Sequence, residues 1–136
     1  DYFHALLRYP ARRVVLHASA LVVADNPRFT VHGTAGSFLK CGLDPQEDAL
    51  KSGQRPGDAG WGVDPAPGTL VLADGERRHA SRHPGVPGDY LRYYAAIRDA
   101  ILGTGINPVS ANEALAVMSL LELGARSARE RREIPC

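Results

Sequence analysis

The chain has 136 residues, 44% of them hydrophobic, and a formal net charge of +1 at pH 7. This length suits one domain of about 50–200 residues, and the balanced charge excludes a strongly basic protein that binds nucleic acid or an anionic membrane surface. The longest apolar run, residues 14–24, contains His17 and Ser19 and falls short of the roughly 20 residues that span a bilayer. The two cysteines fit free thiols in a reducing cytoplasm better than a disulfide framework.

The first third of the chain predicts antiparallel strands joined by short turns. Polar and apolar residues alternate there, and the predicted strands cover residues 2–9, 13–24, 28–32 and 37–41. Pro10-Ala11 and Asp25-Asn26-Pro27 supply turns, and Gly33-Thr34-Ala35-Gly36 supplies residues that tolerate positive φ in a hairpin. Connections this short make neighbouring strands antiparallel.

A short helix and two loops follow the hairpin. Asp44 can cap the helix and Gly53 can end it. Glycine and proline are frequent in residues 54–68 and 74–88, which we expect to be loops. A loop as long as the first is either functional or disordered. Between the two loops, residues 69–73 predict a fifth strand.

Two helices close the chain. Asp89 can cap the first and Gly103 can end it, and its predicted apolar stripe consists of Tyr90, Tyr94, Ile97 and Ile101. The second begins with the capping box Ser110-x-x-Glu113. Its predicted buried face consists of Leu115, Met118, Leu121 and Ala125.

Strands followed by helices indicate an α+β fold: an open, predominantly antiparallel β-sheet with helices packed on one face. The other sheet face then has no cover from this chain. It would carry a mixture of polar and apolar side chains: His4, Leu6, Arg8, Val15, His17, Ser19, Leu21, Thr30 and His32. A face of this kind meets either solvent or a partner.

Three side chains are candidates for substrate binding. Lys40 lies in the predicted hairpin, where its ammonium can hold a carboxylate or a sugar hydroxyl, although most strand lysines face solvent. His17 is the basic residue inside the most apolar strand, where a hydrogen-bonded sheet histidine is the alternative. Trp61 offers an aromatic face to a sugar ring or nicotinamide, or else anchors its loop to the core.

Other chemical signals are weak. The glycines of the chain do not form G-x-G-x-x-G between a strand and a helix, so no cofactor-binding residue is predicted. Capping explains Asp44 and Glu47, which with Gln46 resemble a ligand cluster. His79-x-x-x-His83 has the spacing of two ligands on a helical turn, but Pro84 follows directly and no third ligand is near, so no metal site is predicted.

The run His32-Gly33-Thr34-x-Gly36-Ser37-Phe38-x-Lys40, followed by Gly42-Leu43-Asp44-Pro45-Gln46-Glu47, resembles the carboxy-terminal domain of the Gfo/Idh/MocA oxidoreductases. This superfamily is that of glucose–fructose oxidoreductase and inositol dehydrogenase. A second stretch, residues 108–118, resembles the same family. The resemblance extends over nearly the whole chain.

The resemblance implies that residues 1–136 are one carboxy-terminal substrate-binding and oligomerisation domain of a cytoplasmic NAD(P)-dependent oxidoreductase. The substrate would be a sugar, polyol or related hydroxy compound, and NAD or NADP would bind an amino-terminal Rossmann domain that is absent from these residues. A homodimer or higher homo-oligomer would form through the open sheet face, with no nucleic acid or membrane as a partner.

The family's catalytic lysine lies in a Glu-Lys-Pro motif, and its acid–base histidine follows an aspartate in an Asp-x-x-x-His arrangement. Neither motif occurs here, so no catalytic residue is predicted and we expect this fragment to be inactive alone. One alternative is a stand-alone, non-enzymatic binding or dimerisation module, and another is a family member that has become a sensor. The strand pattern that begins at once, without a methionine, favours a piece of a larger protein.

Overall fold

The computed structural model describes residues 1–24 and 26–136, so Asp25 of the predicted second turn lies outside the described residues. The fold is α+β with antiparallel strand pairs, as predicted. The elements are β1 (Tyr2–Arg8), β2 (Arg13–Ser19), β3 (Phe29–His32), β4 (Gly36–Lys40), α1 (Gln46–Lys51), β5 (Gly68–Asp74), β6 (Arg77–His83), α2 (Tyr90–Ile101) and α3 (Ala111–Glu130).

The strands form two sheets rather than one continuous layer. β1 and β2 form a two-stranded sheet, and the other strands form a four-stranded sheet in the order β3-β4-β5-β6. The chain divides accordingly into two compact units. The hairpin unit comprises Asp1–Ala24 with Asn107–Cys136 and therefore contains α3; the sheet unit comprises Asp25–Ile106 and contains α1 and α2.

Two departures from the predicted strands are larger than a single residue. β2 ends at Ser19 instead of residue 24, because the Ser19 hydroxyl accepts a hydrogen bond from the Leu21 amide at 3.1 Å and turns the chain out of the ladder. The predicted loop 74–88 is wrong over residues 77–83, which form β6. Gly75, with φ of +58°, makes the tight turn between the paired residues Asp74 and Arg77.

The reason β6 was missed is its composition. All of its residues are exposed, and they show no alternation of apolar and polar side chains that would predict a strand. β6 lies at the edge of the four-stranded sheet and carries Arg77, Arg78 and Arg82. Charged side chains on an edge strand discourage pairing with other chains, so the composition suits the position.

The predicted ends of α2 and the predicted start of α3 are confirmed. Asp89 accepts hydrogen bonds from the amides of Leu91 and Arg92 at the start of α2, and Ser110 forms the predicted capping box with Glu113 at the start of α3. At the other end of α2, Gly103 adopts a φ of +72° and its amide donates to the carbonyl of Ala100. Here glycine accommodates the left-handed conformation that ends a helix.

The predicted buried face of α3 is wrong for the described chain. Leu115, Met118 and Leu121 are all exposed, as is Ala125, and Leu121 keeps 57% of its surface accessible. In the stripe of α2, Ile97 is half-buried, but Tyr90, Tyr94 and Ile101 are exposed. Helical periodicity identifies which face is apolar, but it does not supply the element that covers it.

Candidate functional site

The most enclosed side chain among the described residues is a polar one, Gln46, with 1% of its surface accessible. It lies at the first position of α1. Its Oε1 accepts from Nε1 of Trp61 at 2.9 Å and from the backbone amide of Tyr90 at 2.8 Å. One amide oxygen therefore joins α1, the 54–67 loop and the start of α2.

Asp44 fixes the other end of the Gln46 side chain. Its Oδ2 accepts from Nε2 of Gln46 at 2.9 Å, and its Oδ1 accepts from the Gln46 backbone amide at 3.0 Å. The N-cap of α1 is Pro45 rather than the predicted Asp44, and Asp44 instead accepts from the amide of the first helical residue, Gln46. Because Pro45 has no N–H to satisfy and adopts helical angles, the helix starts without an unpaired donor there. Glu47 does not complete a capping box but pairs with Lys51 at 2.8 Å.

Two glycines let the backbone cross close to this amide. The Gly88 amide donates to the carbonyl of Gly62 at 2.9 Å. A Cβ atom on Gly62 would collide with the Gly88 backbone, and one on Gly88 would collide with Nε2 of Gln46. The crossing requires glycine at both positions, because only a chain without side chains can approach so closely.

The sequence left two roles open for Trp61, and its position in the structure is that of the loop anchor. Its ring is buried, with 9% of its surface accessible, and its indole N–H is satisfied by Gln46. A buried indole with its donor paired stabilises the loop both by apolar burial and by a hydrogen bond. The 54–67 loop is therefore ordered around a fixed tryptophan.

Lys40 is paired within the protein rather than free in solvent. Its ammonium donates to the carboxylate of Asp64 and, at 2.6 Å, to the carbonyl of Cys41. Both side chains keep 16% of their surface accessible. Asp64 Oδ1 also accepts from the backbone amide of Ala66 at 2.8 Å. The pair ties the end of β4 to the 54–67 loop.

The charge of Asp64 is stabilised by these contacts. The hydrogen bond from Lys40 holds the pKa of the Asp64 carboxyl below its ordinary value of 3.8, and the Ala66 amide acts in the same direction. Partial burial opposes both effects. The carboxylate is therefore ionised at neutral pH and remains a partner for Lys40.

His17 lies in the hairpin unit, whereas Lys40 and Trp61 lie in the sheet unit. It is exposed on β2, directly opposite His4 in the ladder. Its ring lies edge-to-face against Tyr2 at a centroid distance of 5.5 Å and against His4 at 5.6 Å. The structure thus brings two of the three predicted substrate residues into one unit and places the third in the other.

Sequence reasoning missed Asp64 and the central role of Gln46. The pair of Lys40 and Asp64 spans 24 positions, and that of Gln46 with Tyr90 spans 44. No periodic pattern links residues at such separations. The one signal in the sequence was the position of Gln46, a polar residue at the start of a helix. That signal was weak, because Asp44 was already predicted to cap the same helix.

Within 1–24 and 26–136, no three His, Cys, Asp or Glu side chains are grouped to hold a metal ion, and no helix has the length and apolarity to cross a membrane. Gly57, Gly60 and Gly62 have positive φ within the loop. They do not join a strand to a helix, so these residues do not form a dinucleotide-binding turn.

Comparison with known proteins decides the family. Residues 1–136 match the family described as the oxidoreductase family, C-terminal alpha/beta domain, of the Gfo/Idh/MocA proteins. The chain belongs to the Gfo/Idh/MocA oxidoreductase family.

Relatives of this Gfo/Idh/MocA domain match it along its length. The uncharacterized oxidoreductase YdgJ of Escherichia coli is 52% identical over 131 residues, covering 96% of this chain and 38% of that protein. The scyllo-inositol 2-dehydrogenase (NADP(+)) IolW of Bacillus subtilis is 38% identical over 136 residues, covering 98% of this chain and 38% of that protein. The chain thus spans a little over a third of the length of these relatives.

A solved structure shows the same fold. The YPO2259 protein of Yersinia pestis, described as an oxidoreductase, aligns with a TM-score of 0.94 at 48% identity, covering 100% of this chain and 39% of that one. The Gfo/Idh/MocA domain described here therefore shares its backbone arrangement with an experimentally determined structure.

Proposed function

We propose that residues 1–136 are the carboxy-terminal domain of an NAD(P)-dependent oxidoreductase that acts on a sugar, polyol or related hydroxy compound. The observation that carries this proposal is the family match over residues 1–136. The 38% identity to IolW supports the substrate class, because that protein's name gives a cyclic polyol and NADP.

In this proposal the domain forms part of the substrate cleft and contributes no catalytic residue. When bound by an amino-terminal Rossmann domain, the nicotinamide exchanges a hydride with the substrate carbon. The domain would line one wall of the substrate cleft and build the subunit interface through its open sheet face. The exposed thiols of Cys41 and Cys136 support a reducing, cytoplasmic location.

The ordered 54–67 loop supports a role as a cleft wall. It is held at Trp61 by Gln46, at Asp64 by Lys40, and at Gly62 by Gly88. A wall fixed before substrate arrives loses little conformational entropy on binding. Lys40 has one ammonium proton beyond its two protein partners, and that proton is the one we assign to a substrate hydroxyl.

The direct test is turnover by the full-length protein. We expect reduction of NAD or NADP by at least one compound of a panel of scyllo-inositol, myo-inositol and glucose, followed by nicotinamide absorbance. Residues 1–136 alone should give no turnover, because the family's catalytic motifs are absent from them. Turnover by residues 1–136 alone would contradict the proposed division of labour, and inactivity of the full-length protein on every sugar and polyol would contradict the substrate class.

The substrate residues are tested with the same assay. Lys40→Met and His17→Gln should each raise KM for the polyol and leave KM for the nicotinamide unchanged. Trp61→Phe removes the indole donor to Gln46, so it should act on KM for the polyol only through the loop that Trp61 anchors. A variant that changes neither kcat nor KM removes that residue from the proposed site.

A binding or dimerisation module without an enzymatic parent is the second candidate. The exposed apolar residues of α3 favour it, since an uncovered apolar face is typical of an interaction surface. The gene that encodes the full-length protein discriminates the two: a G-x-G-x-x-G turn and a Glu-Lys-Pro motif before these residues support the oxidoreductase, and their absence supports the module.

A further inference from the structure

The antiparallel ladder of β1 and β2 places two histidines directly opposite each other, His4 and His17. The Ala20 amide donates to the Asp1 carbonyl at 2.9 Å, and the Tyr9 amide donates to the Arg12 carbonyl at 3.0 Å. Pairs in such a ladder alternate between bonded and non-bonded types, so the histidines form a non-hydrogen-bonded pair. Side chains approach each other most closely at pairs of this type.

The separation of the two rings suits a shared metal ion. Their centroids are 5.6 Å apart and their planes meet at 65°. A Zn²⁺ ion lies about 2.0–2.1 Å from an imidazole nitrogen, hence roughly 3.2 Å from the ring centroid, and a tetrahedral angle then separates two centroids by about 5.2 Å. The observed spacing is close to that value before any adjustment of the side chains.

Both rings are available to a ligand. His4 and His17 are exposed, and in the part of the chain that the structure describes, hydrogen bonds engage the rings of His32 and His83 but neither ring of this pair. We propose that His4 and His17 form a binding site for a divalent transition-metal ion of the Zn²⁺ class. Imidazole nitrogen is a ligand that Zn²⁺, Cu²⁺ and Ni²⁺ prefer and that Mg²⁺ and Ca²⁺ do not.

The other histidine pair in the sequence lacks this geometry. His79 and His83 have the spacing of helical ligands, but both lie on strand β6. Four residues of a strand extend about 13 Å, too far for two nitrogens to share one ion. This pair therefore provides a matched control within the same chain.

Two histidines leave coordination positions open. Either water fills them, or donors from a second copy do, since the histidines lie on the exposed face of the hairpin. One ion bound per chain indicates the first arrangement, and one ion per two chains indicates the second; both results support a site built on His4 and His17. Zn²⁺ binding is measured without substrate, so its outcome does not depend on the proposed oxidoreductase activity, although His17 belongs to both proposals.

The test is isothermal titration of the full-length protein with Zn²⁺, with Mg²⁺ as the hard-cation control. We expect His4→Gln and His17→Gln each to weaken Zn²⁺ binding by about tenfold or more, because chelation needs both imidazoles. The double variant should bind no more weakly than either single one. His79→Gln with His83→Gln should bind Zn²⁺ like the natural protein.

A second measurement is independent of the variants. In the natural protein, the imidazole NMR resonances of His4 and His17 should shift together on Zn²⁺ addition, while those of His79 do not. Unchanged Zn²⁺ affinity and stoichiometry in both single variants, or resonances of His4 and His17 that do not respond, would overturn the proposal.

Discussion

The buried side-chain amide of Gln46 connects three segments of the chain. Its oxygen accepts two hydrogen bonds and its nitrogen donates one, to groups on three segments. A carboxylate could not replace the amide, because Nε2 donates to Asp44 and the substitution Gln46→Glu would set a second negative charge against that carboxylate. Glutamine is suited to this position because it is both a donor and an acceptor.

Replacement of Gln46 by leucine should destabilise the protein. Gln46→Leu leaves the Trp61 indole N–H and the Tyr90 amide without their partner, and an unsatisfied buried donor costs about 1–3 kcal/mol. We expect a loss of about 3 kcal/mol in the free energy of unfolding, measured by urea denaturation followed by circular dichroism.

Gln54 provides the control for Gln46. It is exposed in the same region of the chain, so Gln54→Leu should change the free energy of unfolding by no more than about 0.5 kcal/mol. If the two substitutions had equal effects, the hydrogen bonds of Gln46 would not be the organising contacts that the structure indicates.

The ion pair of Lys40 and Asp64 makes stability depend on pH in the acid range. The pKa of Asp64 lies below its ordinary value of 3.8 in the folded chain, so the unfolded chain binds the proton more readily. The stabilisation is complete above the ordinary value and is lost as pH falls through the lowered pKa. Asp64→Asn should therefore be less stable than the natural protein at neutral pH, and the difference should shrink in acid titrations of unfolding.

The exposed ion pair of Glu47 and Lys51 is the control for the partly buried pair of Lys40 and Asp64. The pKa of Glu47 is also lowered, by the hydrogen bond from Lys51, but both side chains are largely exposed. Salt at about 1 M shortens the Debye length to roughly 3 Å, so the effect of Glu47→Gln should vanish there. The effect of Asp64→Asn should persist; a complete loss in salt would mean that the pair is not shielded from solvent.

Among the elements, the 54–67 loop departs most from what its composition suggests. Its glycines and prolines predict irregular structure, and it contains no helix or strand. It is nevertheless fixed, because three of its residues form hydrogen bonds with partners outside the loop. Irregular backbone becomes ordered when its polar groups and large side chains find such partners.

A methyl group at position 88 tests the crossing of the two backbones. The Cβ atom of Gly88→Ala would lie 3.0 Å from Asp44 Oδ2 and still closer to Nε2 of Gln46, which its own hydrogen bonds hold in place. We expect a loss of about 1–3 kcal/mol in the free energy of unfolding, the usual cost of overpacking. Gly85→Ala has open space around its Cβ atom and should be neutral or slightly stabilising.

For the whole molecule, the notable property is the apolar surface that remains exposed. The Leu121 side chain on α3 keeps 57% of its surface accessible. If another part of the intact protein or a second subunit covers this face, Leu121→Gln should cost about 2 kcal/mol there, the value of burying a leucine. In residues 1–136 alone it should change the free energy of unfolding by no more than about 0.5 kcal/mol.

Glu122 is the control on the same helix. It is exposed on α3, and Glu122→Gln should be neutral both in residues 1–136 and in the intact protein. Equal effects of Leu121→Gln in the two proteins would show that the α3 face stays open to solvent.

The sequence determined the features that depend on neighbouring residues. The hairpin turns at residues 10–11 and 33–36, the caps at Asp89 and Ser110, and the end of α2 at Gly103 are set by residues within a few positions of one another, and these were predicted. The family was also readable, because its motif is a continuous run from His32 to Glu47.

Tertiary structure alone decided the contacts between distant residues. The pairing of Lys40 with Asp64, the burial of Gln46 and the recruitment of residues 77–83 into an edge strand follow from which segments pack together. The α3 face shows the same division: periodicity made it apolar, yet its exposure depends on what lies against it. Local propensity is encoded within a few residues, whereas burial is a property of the packed chain.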